Sequence, residues 1–534
     1  VPVPTLALRA AAELELRERA RAGVAVPEAR ALEGDWEAWL RALFAPYVSD
    51  TAGRPIPFVQ RHRDLWDWAW ALRRGERRPP FVAVWPRGSG KSTSVELALA
   101  AIAARRTRRY ALYCCRTQDQ ADDHVQNVAG LLESSRFGAA YPAVADRLVG
   151  KYGHSKGWRR NRVRTSSGFT VDGLGLDVAV RGVKLDEMRP DLIVLDDVDD
   201  TLDSERLIER NVAVITRRLL PAGSTDCSVL AVQNLVHPDG VFAQVVDGRA
   251  DFLKERILSG PFPAIEGLAT EQGPDGRFRI VAGTPTWEGQ DLARCQSLID
   301  DIGLSAFRRE CQHEVEAPSG GMFDHLVYRR CRHDEVPPLR RVTVWVDPAI
   351  SYTDESDACG VQVDGLADDG TIYRLFSWEQ RATPQAAMQV AIHRAIEYGA
   401  RSVGVETDQG GDTWRDTYRV ALDVLEAEKR RTHALAQEHY PAQERTAYEP
   451  PRWPKFESAK AGAIGSKEHR ASLMLADYEK GRIVHVTGTT HLLEEGLRRF
   501  PRSKPFDLVD AAFWSWHALR TARAPRVWSV DDDD

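Results

Sequence analysis

The sequence predicts an α/β protein of two parts, a phosphate-loop half built on a parallel sheet and then a half built on a mixed sheet. Three observations predict it. Trp85-Pro86-Arg87-Gly88-Ser89-Gly90-Lys91-Ser92-Thr93 lies between an apolar run, Phe81 to Trp85, and an alanine- and leucine-rich stretch, Val95 to Ala104. Asp191-Leu192-Ile193-Val194-Leu195 ends in two adjacent carboxylates, Asp196 and Asp197. From Val342 onward, three apolar runs separated by turn signals are followed by a helical stretch and a strand ending in Glu406.

The chain has 534 residues, too many for one core, and about two to four domains are expected. Hydrophobic content of 43% and charged content of 28% are those of a globular chain and exclude a disordered or fibrous one. No apolar run approaches the roughly 18 to 20 residues of a membrane span, and the start lacks a charged segment followed by an apolar one, so a soluble intracellular protein is expected. The seven cysteines are scattered without a Cys-x-x-Cys spacing and read as thiols rather than a disulfide frame or zinc site. A net charge of −6 excludes a histone-like coat but leaves local nucleic-acid patches possible.

Residues 1–50 carry apolar positions at helical spacing, such as Leu14, Trp36, Trp39, Leu40 and Leu43, and form an N-terminal helical segment. The phosphate-loop domain covers 51–260. Gln60, ahead of the loop, either pairs with an adenine edge or opens the Trp66-to-Trp70 helix as an ordinary residue. In the loop, small residues let the backbone from Arg87 through Thr93 curl around phosphates. Lys91 reaches the outer phosphates, Ser92 holds Mg²⁺, and the helix start adds partial positive charge. Trp85 stands where the usual loop pattern has Gly.

Tyr110 to Cys115 is a second strand, followed by a helix from about Thr117 to Leu132. The basic stretch Lys156 to Arg164 suits either a phosphate backbone or a solvated hairpin face. Arg181, beside Gly182, is the candidate arginine for a transferring phosphate. In the Asp191 strand, Asp196 would bind the Mg²⁺ of a held nucleotide and Asp197 would orient or deprotonate water. Gln233-Asn234 ends the Ser228 strand, sensing the outer phosphate or capping the strand.

Gly and Pro are frequent from 261 to 335, and this stretch is expected to connect the two halves. The second half covers 336–520, and its order of three hairpin-joined strands, a helix and a strand ending in Glu is that of an RNase H-like fold. Asp347 on the first strand and Glu406 on the fourth would then face each other. A third carboxylate should come from the C-terminal helix at Asp507 or Asp510, one turn apart, with Asp357 a further alternative. Such a set binds two Mg²⁺ or Mn²⁺ ions about 4 Å apart. Residues 521–534 end in an acidic tail, Asp531 to Asp534, expected to be disordered.

In this order, from about Phe58 to Trp516, the motifs resemble the large terminase subunit of tailed double-stranded DNA bacteriophages. Besides the loop, the acids and Arg181-Gly182, the resemblance rests on Thr117-Gln118, Lys467 to Arg470, Gly481 to His485 and Asp507 to Ala511. It implies a P-loop ATPase domain followed by a nuclease, working together to move double-stranded DNA into a procapsid and to cut it. Carried over, Lys91, Ser92 and Asp196 would hold ATP and Mg²⁺, Asp197 would be the catalytic carboxylate, and Asp347, Glu406 and Asp507 would hold the nuclease metals. It also implies a pentameric ring on the portal protein, a small terminase subunit as partner, and a place in the host cytoplasm. Two other classes fit parts of the sequence: a cellular helicase or repair nuclease, which needs a second motor domain where the mixed-sheet half sits, and a structural capsid or portal-associated DNA-binding protein with degenerate sites.

Overall fold

The computed structural model describes residues 31–150, 155, 157–178, 188–315, 321–348, 358–407, 411, 413–440, 446–460 and 464–521. These form two compact units. The first takes the described residues up to Ala269, with Ala282–Gln296 and those from Phe307 to 315; the second takes Thr270–Val281, Ser297–Ala306 and the described residues from Gly321 on. The stretch 261–335 is therefore divided between the units rather than left between them. It is also largely regular, with two strands, β8 (Ile265–Gln272) and β9 (Phe278–Pro285), in a small sheet of their own, and the helices Leu292–Ile302 and Leu304–Gln312. Residues 1–30 and 522–534, which include most of the expected helical segment and the acidic tail, lie outside the described residues.

In the first unit, seven strands lie in the order β3-β4-β2-β5-β6-β1-β7, with β1 Phe81–Val84, β2 Tyr110–Cys115, β3 Arg162–Arg164, β4 Thr170–Gly175, β5 Leu192–Asp196, β6 Ser228–Gln233 and β7 Ile257–Ser259. Neighbours are parallel except β3 and β4. Every residue of β1, β2, β5 and β6 is buried, as expected when helices cover both faces of a parallel sheet. One face packs on Trp39, Trp66 and Trp68 of the helices Trp36–Phe44 and Gln60–Trp70 and on the alanine-rich helix Lys91–Arg105; the other packs on Ile215, Leu219 and Phe242. Register decides the site: Val84 pairs with Gln233, and Asp196 with Val232. Strand β6 thus lies between the loop strand and the acid strand, with all three ending on the same edge.

The second unit has the order β10-β16-β13-β12-β11-β14-β15, with β10 Arg329–Cys331, β11 Leu339–Asp347, β12 Cys359–Ala367, β13 Ile372–Gln380, β14 Ser402–Glu406, β15 Lys455–Ala459 and β16 Ile483–Val486. Strands β11, β12 and β13 run antiparallel through hairpins, and β14 and β15 join parallel to β11. The order third-second-first-fourth-fifth, with the helix Pro384–Glu397 before β14, is the RNase H-like arrangement predicted from sequence. The helix Asp507–Thr521 lies against β11 and β12 and is buried along most of its length. Arg374, fully buried, anchors it by pairing with Asp364 and donating to the Ala512 carbonyl at 3.0 Å. Losing one partner of such a pair costs about 3–5 kcal/mol.

Candidate functional site

The loop after β1 turns because Gly88 and Gly90 adopt φ of 84° and 80°, a region costly for residues with a Cβ. Trp85 needs no such freedom. It has no positive φ, its ring is buried against His62 at 5.1 Å, and its Nε1 donates to Ser259 Oγ at 3.1 Å, so its bulk is spent in the core and not in the loop. Lys91 is buried behind the loop, its Nζ donating to the Pro86 carbonyl at 3.3 Å. Burial pulls its pKa below the ordinary range, opposed by the charges of Asp197, Asp196 and Glu310.

Ser92 Oγ donates to Asp196 Oδ1 at 3.2 Å, joining the loop helix to the end of β5. Tyr113 Oη donates to Asp196 Oδ2 at 2.5 Å. Burial, with Asp197 adjacent, raises Asp196 to about 6. Behind it stands a polar chain that spacing did not reveal: His124 Nδ1 is 2.7 Å from Glu96 Oε1, its Nε2 is 3.8 Å from Asp196 Oδ2, and its ring stacks on Tyr113. Burial works against a charge on His124, but the Glu96 hydrogen bond and Asp196 outweigh it and raise its pKa.

Asp197 is exposed at φ 46°, a left-handed conformation that Asp tolerates better than most residues and that turns its side chain off the strand. Gln233 is buried and committed locally: its Oε1 accepts from Val198 and Asp199 N–H at 2.9 and 3.1 Å, and its Nε2 donates to the Asp199 carbonyl. Asn234 donates to Glu310 Oε2 at 2.9 Å, and the Arg87 N–H donates to the Glu310 carbonyl. Gln60 is exposed, the first residue of its helix, with its amide on Asp64 Oδ1 at 2.7 Å. A pocket beside the loop is lined instead by Tyr47, Phe58, His62, Thr93 and Trp287. In the basic stretch, Arg160 pairs with Asp119 and Arg162 with Asp172, while Lys156 lies outside the described residues. Arg181 and Asp357 lie outside the described residues.

Oxygen donors of one hydroxyl and one carboxylate, beside a lysine, suit Mg²⁺ and a phosphate chain. The buried Ser89 Oγ, which has no hydrogen-bond partner among the described residues, adds a polar atom in the loop.

The second unit gathers the other carboxylates. In register, Gly360 of β12 lies opposite Asp347 of β11. A Cβ on Gly360 would come within 2.5 Å of Leu508 N and 2.6 Å of Asp507 C, so the missing side chain is what lets the start of the last helix settle over the strand end. Glu379 accepts from the Leu508 N–H at that helix start. Burial, then Asp510 and Asp507, push the Asp347 pKa well up; Lys467 opposes this and Glu406 adds to it. Glu406 Oε2 accepts from Trp514 Nε1 at 2.7 Å, and that indole stacks on Trp345, whose ring covers Gly404.

Two cations lie among these acids. Lys467 Nζ pairs with Asp510 Oδ2 and is 4.0 Å from Asp347 Oδ2; Arg470 Nη2 is 2.8 Å from Asp510 Oδ1 and 3.3 Å from Glu406 Oε2. Sequence singled out this segment only by resemblance, with no role attached. Among the described residues, no group of three or more His, Cys, Asp or Glu is spaced to hold a metal ion. The donor chemistry, four carboxylates with two cations among them, fits hard divalent ions. Among the described residues, no helix is long and apolar enough to cross a membrane.

Comparison with protein-family models and with curated proteins gives no match. Several solved structures are similar over most of the chain. A large terminase from a thermophilic bacteriophage is 11% identical, over 87% of this chain and 99% of that one, with a TM-score of 0.48. The HK97 bacteriophage large terminase is 13% identical, over 90% of this chain and 98% of that one, with a TM-score of 0.34. The nuclease domain of the large terminase subunit gp2 of bacterial virus Sf6 is 12% identical, over 34% of this chain and 90% of that domain, with a TM-score of 0.22. The chain is similar to large terminases.

Proposed function

We propose that the chain is a viral DNA-packaging motor subunit that hydrolyses ATP to drive double-stranded DNA into a procapsid and cuts concatemeric DNA with a metal-dependent endonuclease. What supports the reading above all is one chain holding both a phosphate loop, with Ser92 and Asp196 in contact, and an RNase H-like sheet whose strand-end acids meet those of the last helix.

In the first unit, Lys91 and the loop backbone would bind the phosphates, and Ser92 with Asp196 would hold Mg²⁺. Asp197, turned off the strand, would accept the proton of an attacking water. The aromatic pocket of Tyr47, Phe58 and Trp287 would take the base in place of Gln60. Gln233 would fix the backbone that carries Asp197 rather than meet the nucleotide itself. In the second unit, Asp347, Glu406, Asp507 and Asp510 would hold two Mg²⁺ or Mn²⁺ ions. Bound there, such ions lower the pKa of a water and steady a leaving 3′ oxygen. Trp514 and Arg470 orient Glu406. The portal protein, the procapsid and a small terminase subunit are the partners, in the host cytoplasm, with a pentameric ring as the docked state.

The test is ATP hydrolysis beside cleavage of linear and supercoiled DNA in EDTA, Mg²⁺ and Mn²⁺, for the parent, Lys91→Ala and Asp347→Ala. Each substitution is expected to silence its own activity and spare the other. A parent that does neither in the presence of DNA would sink the proposal.

A further inference from the structure

The two cations in the acidic cluster are held in different ways. Arg470 is 4% exposed, bonded to two carboxylates, with its guanidinium over the rings of Phe513 and Trp514 at 5.8 and 5.6 Å. It is a fixed part of the wall. Lys467 sits in the first turn of the helix Lys467–Glu479 with its side chain 44% exposed, and only its ammonium reaches in, between Asp510 and Asp347. A flexible stem at the rim, a point charge and no ring contact make it the displaceable one of the pair.

We propose that Lys467 is a tethered counter-ion that keeps the place of a divalent metal between Asp347 and Asp510, so that metal entry must displace it and the chain sets its own divalent-ion threshold for cutting. The inference rests on the nuclease reading above. Four carboxylates face two cations, an excess of two negative charges when all are ionised and of three without Lys467, whose ammonium stands where the strand-end acid and the helix acid meet. A divalent ion does the same with closer, directed oxygen bonds, and repels the ammonium once there. The lysine therefore keeps the acids together while metal is scarce and yields when it is plentiful.

The experiment is Mn²⁺ binding to the full chain by titration calorimetry, without nucleotide and in an Asp196→Asn background, so that the first unit's acid does not contribute. Lys467→Ala is expected to bind Mn²⁺ about tenfold more tightly than the parent, the scale of one unit charge acting on a divalent ion about 6 Å away in a water-like dielectric. Lys467→Arg, which keeps the charge, is expected to stay within about twofold of the parent on the same ground. Lys467→Ala binding no more tightly than the parent would overturn the inference while leaving the metal site intact. Asp347→Asn is expected to abolish binding in both the parent and Lys467→Ala chains; binding that survives it would overturn the metal reading beneath the inference. Lys467→Arg, which keeps the charge, is expected to melt with the parent, and a large loss there would mark the residue as structural and overturn its role as a displaceable ion. Metal-free Lys467→Ala is expected to melt lower, because the acids it pairs with then repel one another, and Mn²⁺ is expected to restore it.

Discussion

Gln233 uses both ends of one amide to hold the turn that follows β5. Replacing it by Leu would leave two buried N–H groups and a carbonyl around Val198 and Asp199 without their partners. Each such group costs about 1–3 kcal/mol, so Gln233→Leu is expected to lower stability by about 3 kcal/mol or more and to cut the turnover of ATP, read by thermal melting beside steady-state hydrolysis. A variant that melts with the parent would show the turn to be held otherwise. His485 gives a pH dependence. It is fully buried, with Nε2 2.9 Å from Tyr478 Oη and Nδ1 3.3 Å from Glu494 Oε1, and burial, outweighing the Glu494 carboxylate, lowers its pKa from 6.5 to about 4. The unfolded chain therefore binds a proton that the folded chain refuses between those values. Stability rises with pH across that window and is lost as pH falls from 6.5 to about 4, on the order of 3 kcal/mol in all. His485→Gln is expected to flatten this fall when melting is followed from pH 7 to 5, and an unchanged slope would exclude the assignment. The meeting of Ser92 with Asp196 beside Lys91 was legible at this scale because strand, loop and helix are contiguous and a strand-end acid has a fixed direction. His124, Glu96 and Glu310 were not, since each reaches the loop through tertiary contacts that no local spacing encodes.

At the scale of elements, apolar runs foretold β1, β2, β5 and β6 of the first sheet and β11 to β14 of the second, because a strand largely buried in its sheet carries few polar residues; β7, β10 and β15, with exposed residues, carry no such run. The order of β11 to β14 followed from turn signals and one intervening helix. Less legible was the stretch 261–335: its Gly and Pro residues punctuate short strands and helices instead of a free connection, and frequency alone does not distinguish the two. Nor did the sequence choose between Asp507 and Asp510, since residues one turn apart share a face; both prove buried, and both bear on Asp347. The approach of the last helix to β12 is what brings them there, and Gly360 permits it. Gly360→Ala would press a methyl against Leu508 N and Asp507 C, backbone atoms that cannot rotate away. The helix start must move instead, at a cost of about 1–3 kcal/mol. The expected result is weaker Mn²⁺ binding and slower DNA cleavage with ATP hydrolysis intact; cleavage at the parent rate would mean that the helix position is not what sets the acid cluster.

On the scale of the whole molecule, each hydrophobic core draws its residues from its own unit: Trp39, Trp66, Leu99 and Val194 for the first, with Ile193 and Phe242 on the other face of its sheet; Tyr478, Phe513 and Trp514 for the second, with Val361 and Ile392 across its own. A chain with separate cores and separate ligand sites should unfold in two steps that answer to different ligands. A non-hydrolysable ATP analogue with Mg²⁺ at about a hundred times its Kd adds about 2.7 kcal/mol to the unit that binds it, or about 5 to 10 °C for a unit of this size. In scanning calorimetry that shift is expected in one transition only, and Lys91→Ala should remove it. Asp347→Asn should leave it untouched, because the acids around Asp347 belong to the other unit. A single transition that nucleotide moves as a whole would mean that the two units share their stability, and the division of labour between a phosphate-loop unit and an acid-cluster unit would then need to be tested by activity alone.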